Sequence, residues 1–151
     1  MSHGQGDAGL EDVVDGLLEV ANRVHHVVCS VAARHDLTPQ QLELLRTLAV
    51  PVTMRAFAEE LSCDPSNVTG LVDRAERLGL VERVPDPSDR RVRILKLTAK
   101  GRNLRTTINR EVARSLTDAL ALSATDHARV MGVLGLMTSA TKPPRTVQPG
   151  G

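Results

Sequence analysis

The sequence predicts a mainly α-helical chain, class α+β, with one short β-hairpin set among the helices. Three observations carry that expectation. Apolar residues recur at helical spacing over several long stretches. Helix starts and stops punctuate those stretches, at Thr38-Pro39, Pro51, Asp64-Pro65, Gly79, Thr98 and Ser123. Two short runs, Leu80 to Val84 and Arg91 to Leu97, have the β-branched, Leu-rich character of strands, and the polar stretch Pro85-Asp86-Pro87-Ser88-Asp89-Arg90 separates them.

The chain has 151 residues, 41% hydrophobic and 25% charged, which suits one globular domain. No apolar run approaches the ~18 to 20 residues of a membrane span and no signal peptide is recognisable, so a cytoplasmic protein with no membrane partner is expected. Two cysteines, Cys29 and Cys63, are too few for a disulfide scaffold or a four-cysteine zinc site. One Phe, no Tyr and no Trp argue against a protein that stacks single-stranded bases on aromatic rings. Gly-rich phosphate loops, G-x-S-x-G and H-E-x-x-H are all missing from the sequence, so no enzyme and no cofactor is expected.

The elements follow in order. Residues 1–9 read as a flexible terminus. From about Leu10 to His35, apolar residues at Leu10, Val14, Leu17, Ala21, Val24, Val28 and Val31 form a heptad seam. A helix this long, ~39 Å at 1.5 Å per residue, exceeds what a domain of this size can cover, so its excess should pack on another chain. Thr38, Pro39 and Gln41 form a capped start, and Leu42, Leu44, Leu45 and Leu48 supply the buried side. A short helix from about Thr53 to Leu61 turns Phe57, Ala58 and Leu61 inward. Asp64 and Pro65 start the next helix, which runs to Leu78 and stops at Gly79. After the hairpin, Thr98 caps a helix from Ala99 to about Leu122, in which Gly101 is a weak point. Ser123 caps a last helix to about Ala140, with Val130, Val133, Leu134 and Met137 on its apolar side. Residues 141–151, with three Pro and two Gly, read as a disordered tail.

Helix, turn, helix and hairpin in this order make a winged helix-turn-helix, in which the second helix enters the DNA major groove. On that helix Val68, Leu71, Val72, Ala75 and Leu78 fall on one arc and should be buried. The other side carries Ser66, Asn67, Thr69, Gly70, Asp73, Arg74 and Arg77. Ser, Asn and Thr can bond base edges or phosphates, Gly70 admits a close backbone, and the two Arg suit phosphates. The net charge is +1, yet residues 83–105 hold eight basic side chains against Asp86 and Asp89. That asymmetry marks a polyanion-facing surface. At the hairpin tip Arg90 and Arg91 stand beside Asp89, which can hold a neighbouring Arg through a bidentate pair, and Arg93 follows on the return strand.

Residues 61–101, LSCDPSNVTGLVDRAERLGLVERVPDPSDRRVRILKLTAKG, resemble the DNA-binding core of MarR-family transcriptional regulators. The matching features are the polar helix start Ser66 to Thr69, the Val-Asp-Arg-x-Glu stretch Val72 to Glu76, Gly79 to Val81, the D-x-x-D-R-R wing Asp86 to Arg91, and Leu97 to Gly101. The long flanking helices extend the resemblance to roughly residues 10–140. It implies a winged helix-turn-helix lobe (about 38–98) and a dimerisation lobe of long N- and C-terminal helices (about 10–35 and 99–140). It further implies a homodimer on a pseudo-palindromic double-stranded operator, with half-sites ~10 bp apart. Arg91 would enter the minor groove with Asp89 orienting the tip. Ser66, Asn67 and Thr69 would face bases or phosphates, and Arg74 and Arg77 the backbone. The resulting expectation is a repressor released by a small-molecule or redox signal; the alternative is a winged-helix module that binds protein.

Two cysteines are candidates for sensing. Cys63, before the recognition helix, is either a thiolate sensor or a small residue filling a turn; Cys29 is either reactive or a core residue. His25 and Cys29 are spaced as metal ligands can be, but the resemblance implies that a zinc site would be completed by His on the long helix after the wing, where residues 98–122 contain none, and no metal is predicted.

Overall fold

The computed structural model describes residues 5–61 and 65–141. In chain order it has α1 (Gln5–Arg34), α2 (Pro39–Thr47), β1 (Val52–Thr53), α3 (Met54–Glu60), α4 (Pro65–Arg77), β2 (Val81–Pro85), β3 (Arg93–Leu97), α5 (Ala99–Ala119) and α6 (Ala124–Thr141). The mainly helical class with one small sheet is therefore the observed one. α1 begins at Gln5, ahead of the expected Leu10, because no proline precedes Pro39 to stop it. No described helix is long and apolar enough to cross a membrane.

The sheet is antiparallel in the order β1-β3-β2, with Val81 opposite Leu97 and Pro85 opposite Arg93. The third strand, β1, was not expected. It is only two residues long, Val52 opposite Leu95 and Thr53 opposite Ile94, and Thr53 also caps α3 through its hydroxyl, which accepts the Ala56 N–H at 3.2 Å. The cap signal hid the strand.

Side chains from α1 to α5 and all of the sheet share one core, whose fully buried members include Val31, Leu42, Leu45, Phe57, Val72 and Leu95. α5 contributes Ile108 and Val112, as its apolar stripe requires. α2 starts with a complete capping box: Thr38 Oγ1 accepts the Gln41 N–H at 3.2 Å, and Gln41 Oε1 accepts the Thr38 N–H at 2.8 Å. α1 is tied to α5 by Arg34 and His35, both donating to the Glu111 carboxylate at 3.2 Å. Partial desolvation pushes that carboxyl up; the bonds and charges of Arg34 and His35 outweigh it, and Glu111 titrates below its ordinary value.

Three helices end alike. In α1, α4 and α5 the residue after the cap is left-handed (Asp36 φ 55°, Gly79 φ 69°, Ala121 φ 49°). The next residue is a leucine whose N–H reaches back to a carbonyl in the last turn: Leu37 to Ala32, Leu80 to Ala75 and Leu122 to Thr117, at 3.0 to 3.1 Å. Only Gly79 of the three carries the usual sequence signal.

Gly101 is not a weak point but a required one. A Cβ there would lie 2.0 Å from the Leu80 carbonyl oxygen, so the start of α5 rests directly on the backbone that follows α4. The seam of α1 is buried only at its C-terminal end. Val31 is fully buried, whereas Leu10, Val14 and Leu17 are 43–63% exposed. α6 barely packs on the rest of its own chain, and Met131, Val133, Leu134, Leu136 and Met137 are all exposed.

Two substitutions should move stability in opposite directions. Gly101→Ala should destabilise by about 1–3 kcal/mol, because helix and carbonyl must part. Ala121→Gly should stabilise by up to about 1 kcal/mol, since it removes a left-handed alanine, less the entropy glycine adds to the unfolded chain. Urea melts of the two variants against the parent check both signs.

Candidate nucleic-acid interface

α4 separates cleanly into two faces. Val68, Leu71, Val72 and Ala75 are buried, at 8% exposure or less. Leu78, expected among them, is 42% exposed, because α4 has ended at Arg77 and the chain has turned away. The other face exposes Ser66, Asn67, Thr69, Arg74 and Arg77, with Gly70 and Asp73 half-buried. A Cβ on Gly70 would meet only Arg74 Nη1, at 3.7 Å, so the backbone there is open to close approach. Asn67, Val68, Leu71 and Arg74 also line a hollow of about 450 Å³ together with Thr38 and Gln40 from the start of α2. The helix-turn-helix thus brings Asn67 and Arg74 beside α2, a neighbour that spacing along the sequence does not reveal.

The wing tip is an ordered loop. Asp86 Oδ1 accepts the Ser88 N–H at 2.7 Å and the Ser88 hydroxyl at 2.6 Å, while the Asp86 N–H donates to the Val92 carbonyl at 2.9 Å. Asp89 repeats the device: its carboxylate accepts the Arg91 N–H at 3.0 Å, and its carbonyl accepts the Val92 N–H at 2.9 Å. Among the described residues no guanidinium pairs with Asp89, contrary to the sequence expectation. A carboxylate two residues back closes a turn with almost no ordering cost, whereas an exposed arginine gains little by pairing.

The arginines of the two elements divide by what they touch. Arg74, Arg77, Arg90, Arg91 and Arg93 are exposed, and among the described residues their guanidinium groups have no hydrogen-bond or ion-pair partner. Four other basic residues of the cluster are engaged inside the chain. Arg83 bonds Glu76 and Asp73, Lys96 pairs with Glu82 at 3.4 Å, Lys100 Nζ donates to the Leu78 carbonyl at 2.8 Å, and Arg102 donates to the Leu97 carbonyl at 2.8 Å. The link from Arg83 to Asp73 and Glu76 is the feature of this surface that sequence reasoning missed. The available signal was Asp73 and Glu76, three apart and therefore on one side of α4.

The cysteines are unequal. Cys29 is half-buried on α1, its Sγ 3.5 Å from His25 Nε2. Cys63 and Asp64 lie outside the described residues. Among the described residues no three His, Cys, Asp or Glu side chains group as metal ligands.

The bonds from Ser88 hold the Asp86 carboxyl below its ordinary 3.8. The tip should therefore keep its order above pH 3.8 and lose it as pH falls through the lowered value. The Ser88 amide resonance should report this titration by NMR, and Asp86→Asn should remove it.

A model of the MarR family matches residues 35–92. The chain is 34% identical over 93 residues to the transcriptional activatory protein BadR of Rhodopseudomonas palustris, a match covering 58% of this chain and 53% of that protein, so it spans about half the relative's length. A MarR family protein from Bacillus stearothermophilus superposes with a TM-score of 0.80 at 25% identity, over 92% of this chain and all of the other. A cysteine-to-serine mutant of MarR from E. coli, complexed with operator DNA, has the same fold, with a TM-score of 0.68 at 23% identity over 85% of this chain and 95% of that one.

Proposed function

We propose that the chain is a MarR-family protein, a homodimeric, sequence-specific regulator of transcription that binds double-stranded DNA; the family match over residues 35–92 and the shared fold support this. The observation that carries this reading is the set of five exposed guanidinium groups on α4 and the wing that have no internal partner among the described residues, set against Arg83, Lys96, Lys100 and Arg102, which are engaged within the fold. Charged groups kept clear of internal partners are available to phosphates. Ser66, Asn67 and Thr69 then address bases or phosphates from the start of α4, and Gly70 lets the nucleic-acid backbone come close. Arg74 and Arg77 take phosphates. Arg91 enters the minor groove from a tip that Asp89 orders through backbone bonds, and Arg90 and Arg93 flank it.

The exposed apolar residues of α1 and α6 support the dimer, since a second copy would cover Leu10, Val14 and Leu17 and the face of α6 around Leu134. A dimer seated on a promoter excludes other proteins from it, which supports repression. A small-molecule or redox effector releases the DNA to the degree that it prefers one dimer shape over another. The protein acts in the cytoplasm and performs no catalysis.

The test is selection of bound fragments from a genomic pool, with and without oxidant and candidate carboxylic ligands. A symmetric motif that dissociates with one additive supports the reading; no duplex retained at low salt overturns it. A reporter driven by the recovered promoter gives the sign of control, rising on deletion of the gene for a repressor and falling for an activator.

Two variants sharpen the prediction. Arg90→Ala with Arg91→Ala should weaken binding and reduce the slope of log affinity against log salt by about 0.9 for each phosphate left without its arginine. Leu17→Asp should give a monomer by sedimentation velocity and abolish operator binding.

A further inference from the structure

We propose that Arg83 is a positioning residue, which holds the wing at a fixed angle to the recognition helix and contacts no phosphate. The inference rests on the DNA-binding reading above and adds a division of labour among its arginines. Arg83 leaves β2 and reaches α4 with three donors. Its Nη1 bonds Glu76 Oε2 at 2.5 Å, its Nη2 bonds Asp73 Oδ1 at 2.6 Å, and its backbone N–H donates to Glu76 Oε1 at 3.3 Å. One side chain therefore spans two carboxylates, three residues apart, that belong to a different element. A guanidinium can do this because it presents its donors as a rigid planar fork; a lysine ammonium is a point charge and cannot hold both acids in one plane.

The charges point the same way. Two carboxylates surround one guanidinium, so the cluster is net negative and repels a phosphate. The Arg83 side chain is 27% exposed, against an open setting for Arg90 and Arg91 at the tip. β2 carries on directly from Arg83 through Val84 and Pro85 into the loop that bears Arg90 and Arg91. A brace at Arg83 therefore fixes the direction in which the whole tip leaves the helix. The bonds also offset the charges of Asp73 and Glu76, which stand on the helix that faces DNA in this reading.

The experiment uses the full chain and a labelled mixed-sequence duplex of about 30 base pairs, titrated between about 50 and 200 mM salt. Parent, Arg83→Gln, Asp73→Asn with Glu76→Gln, and the triple variant are compared. Arg83→Gln should weaken binding about tenfold with its salt slope within half a unit of the parent's, and should add less than about twofold in the background lacking both acids. In the free protein it should speed amide exchange at Asp86 and Val92, whose bonds close the tip, by about tenfold. A salt slope reduced by about 0.9, an equal weakening in both backgrounds, or unchanged exchange at the tip would each overturn the proposal. Should Arg83→Gln fail to melt cooperatively, the exchanged pair Arg83→Glu with Glu76→Arg replaces it. Recovered binding then supports the brace, and a cooperative melt without recovered binding refutes it. If the parent chain retains no duplex, the DNA-binding reading falls, while the exchange measurement still decides what Arg83 does to the wing.

Discussion

The carbonyl group of Leu80 is the point on which three elements of this protein converge. Its own residue closes the end of α4, with the Leu80 N–H bonded to Ala75 at 3.0 Å. Its oxygen accepts the Thr98 N–H at 3.1 Å, which anchors the base of the hairpin and the start of α5. Gly101 lies so close to that oxygen that no side chain fits between them. Thr98 completes the knot: its hydroxyl donates to the Gly79 carbonyl at 2.7 Å and accepts the Gly101 N–H at 3.0 Å. The end of α4, the base of the wing and the first turn of α5 are thus referred to one peptide group. A displacement of α5 is carried to α4 and the wing without a flexible linker in between, and packed interiors transmit such shifts well.

Around that knot the fold sorts its charges. A sequence count assigns the middle of the chain one undivided basic patch. The structure divides it by depth and by partner. Lys100 and Arg102 satisfy backbone carbonyls where α4 and β3 end, Lys96 bridges to the neighbouring strand, and Arg83 braces α4. What remains for a polyanion is a smaller set on the outer face of α4 and the wing tip. Arginine serves both purposes because its fork suits planar carboxylate pairs and phosphates equally well, so residue type alone does not distinguish the two.

The order of elements was legible because its signals are local. Thr38 with Gln41, Gly79, Thr98 and Ser123 each act within a few residues of themselves, and each stands where the sequence placed it. The burial of Val68, Leu71, Val72 and Ala75 followed from one helical period. Features set by distant neighbours were not legible. The requirement for glycine at 101 exists only because a carbonyl from the preceding hairpin base lies beneath it. Asp36 and Ala121 adopt left-handed turns that their side chains do not favour, since the following leucine and two backbone bonds hold them there. In the wing, the short aspartates close turns in preference to gripping arginines, a competition decided by chain geometry and invisible to a charge count. Strand β1 was missed because two residues carry no period at all.

The near isolation of α6 sets the terms on which this molecule can hold its shape. An 18-residue helix with little tertiary support is marginal in water by itself. A cover over its exposed Leu134, Leu136 and Met137 would supply that support. Without such a cover the C-terminal end should fray first, while the cap of α2, the Arg83 bonds to α4 and the buried leucines stay intact. The part left behind keeps its core, its capping box and its ordered wing. In the proposed dimer, cellular abundance becomes a structural variable of the protein, acting through its last helix.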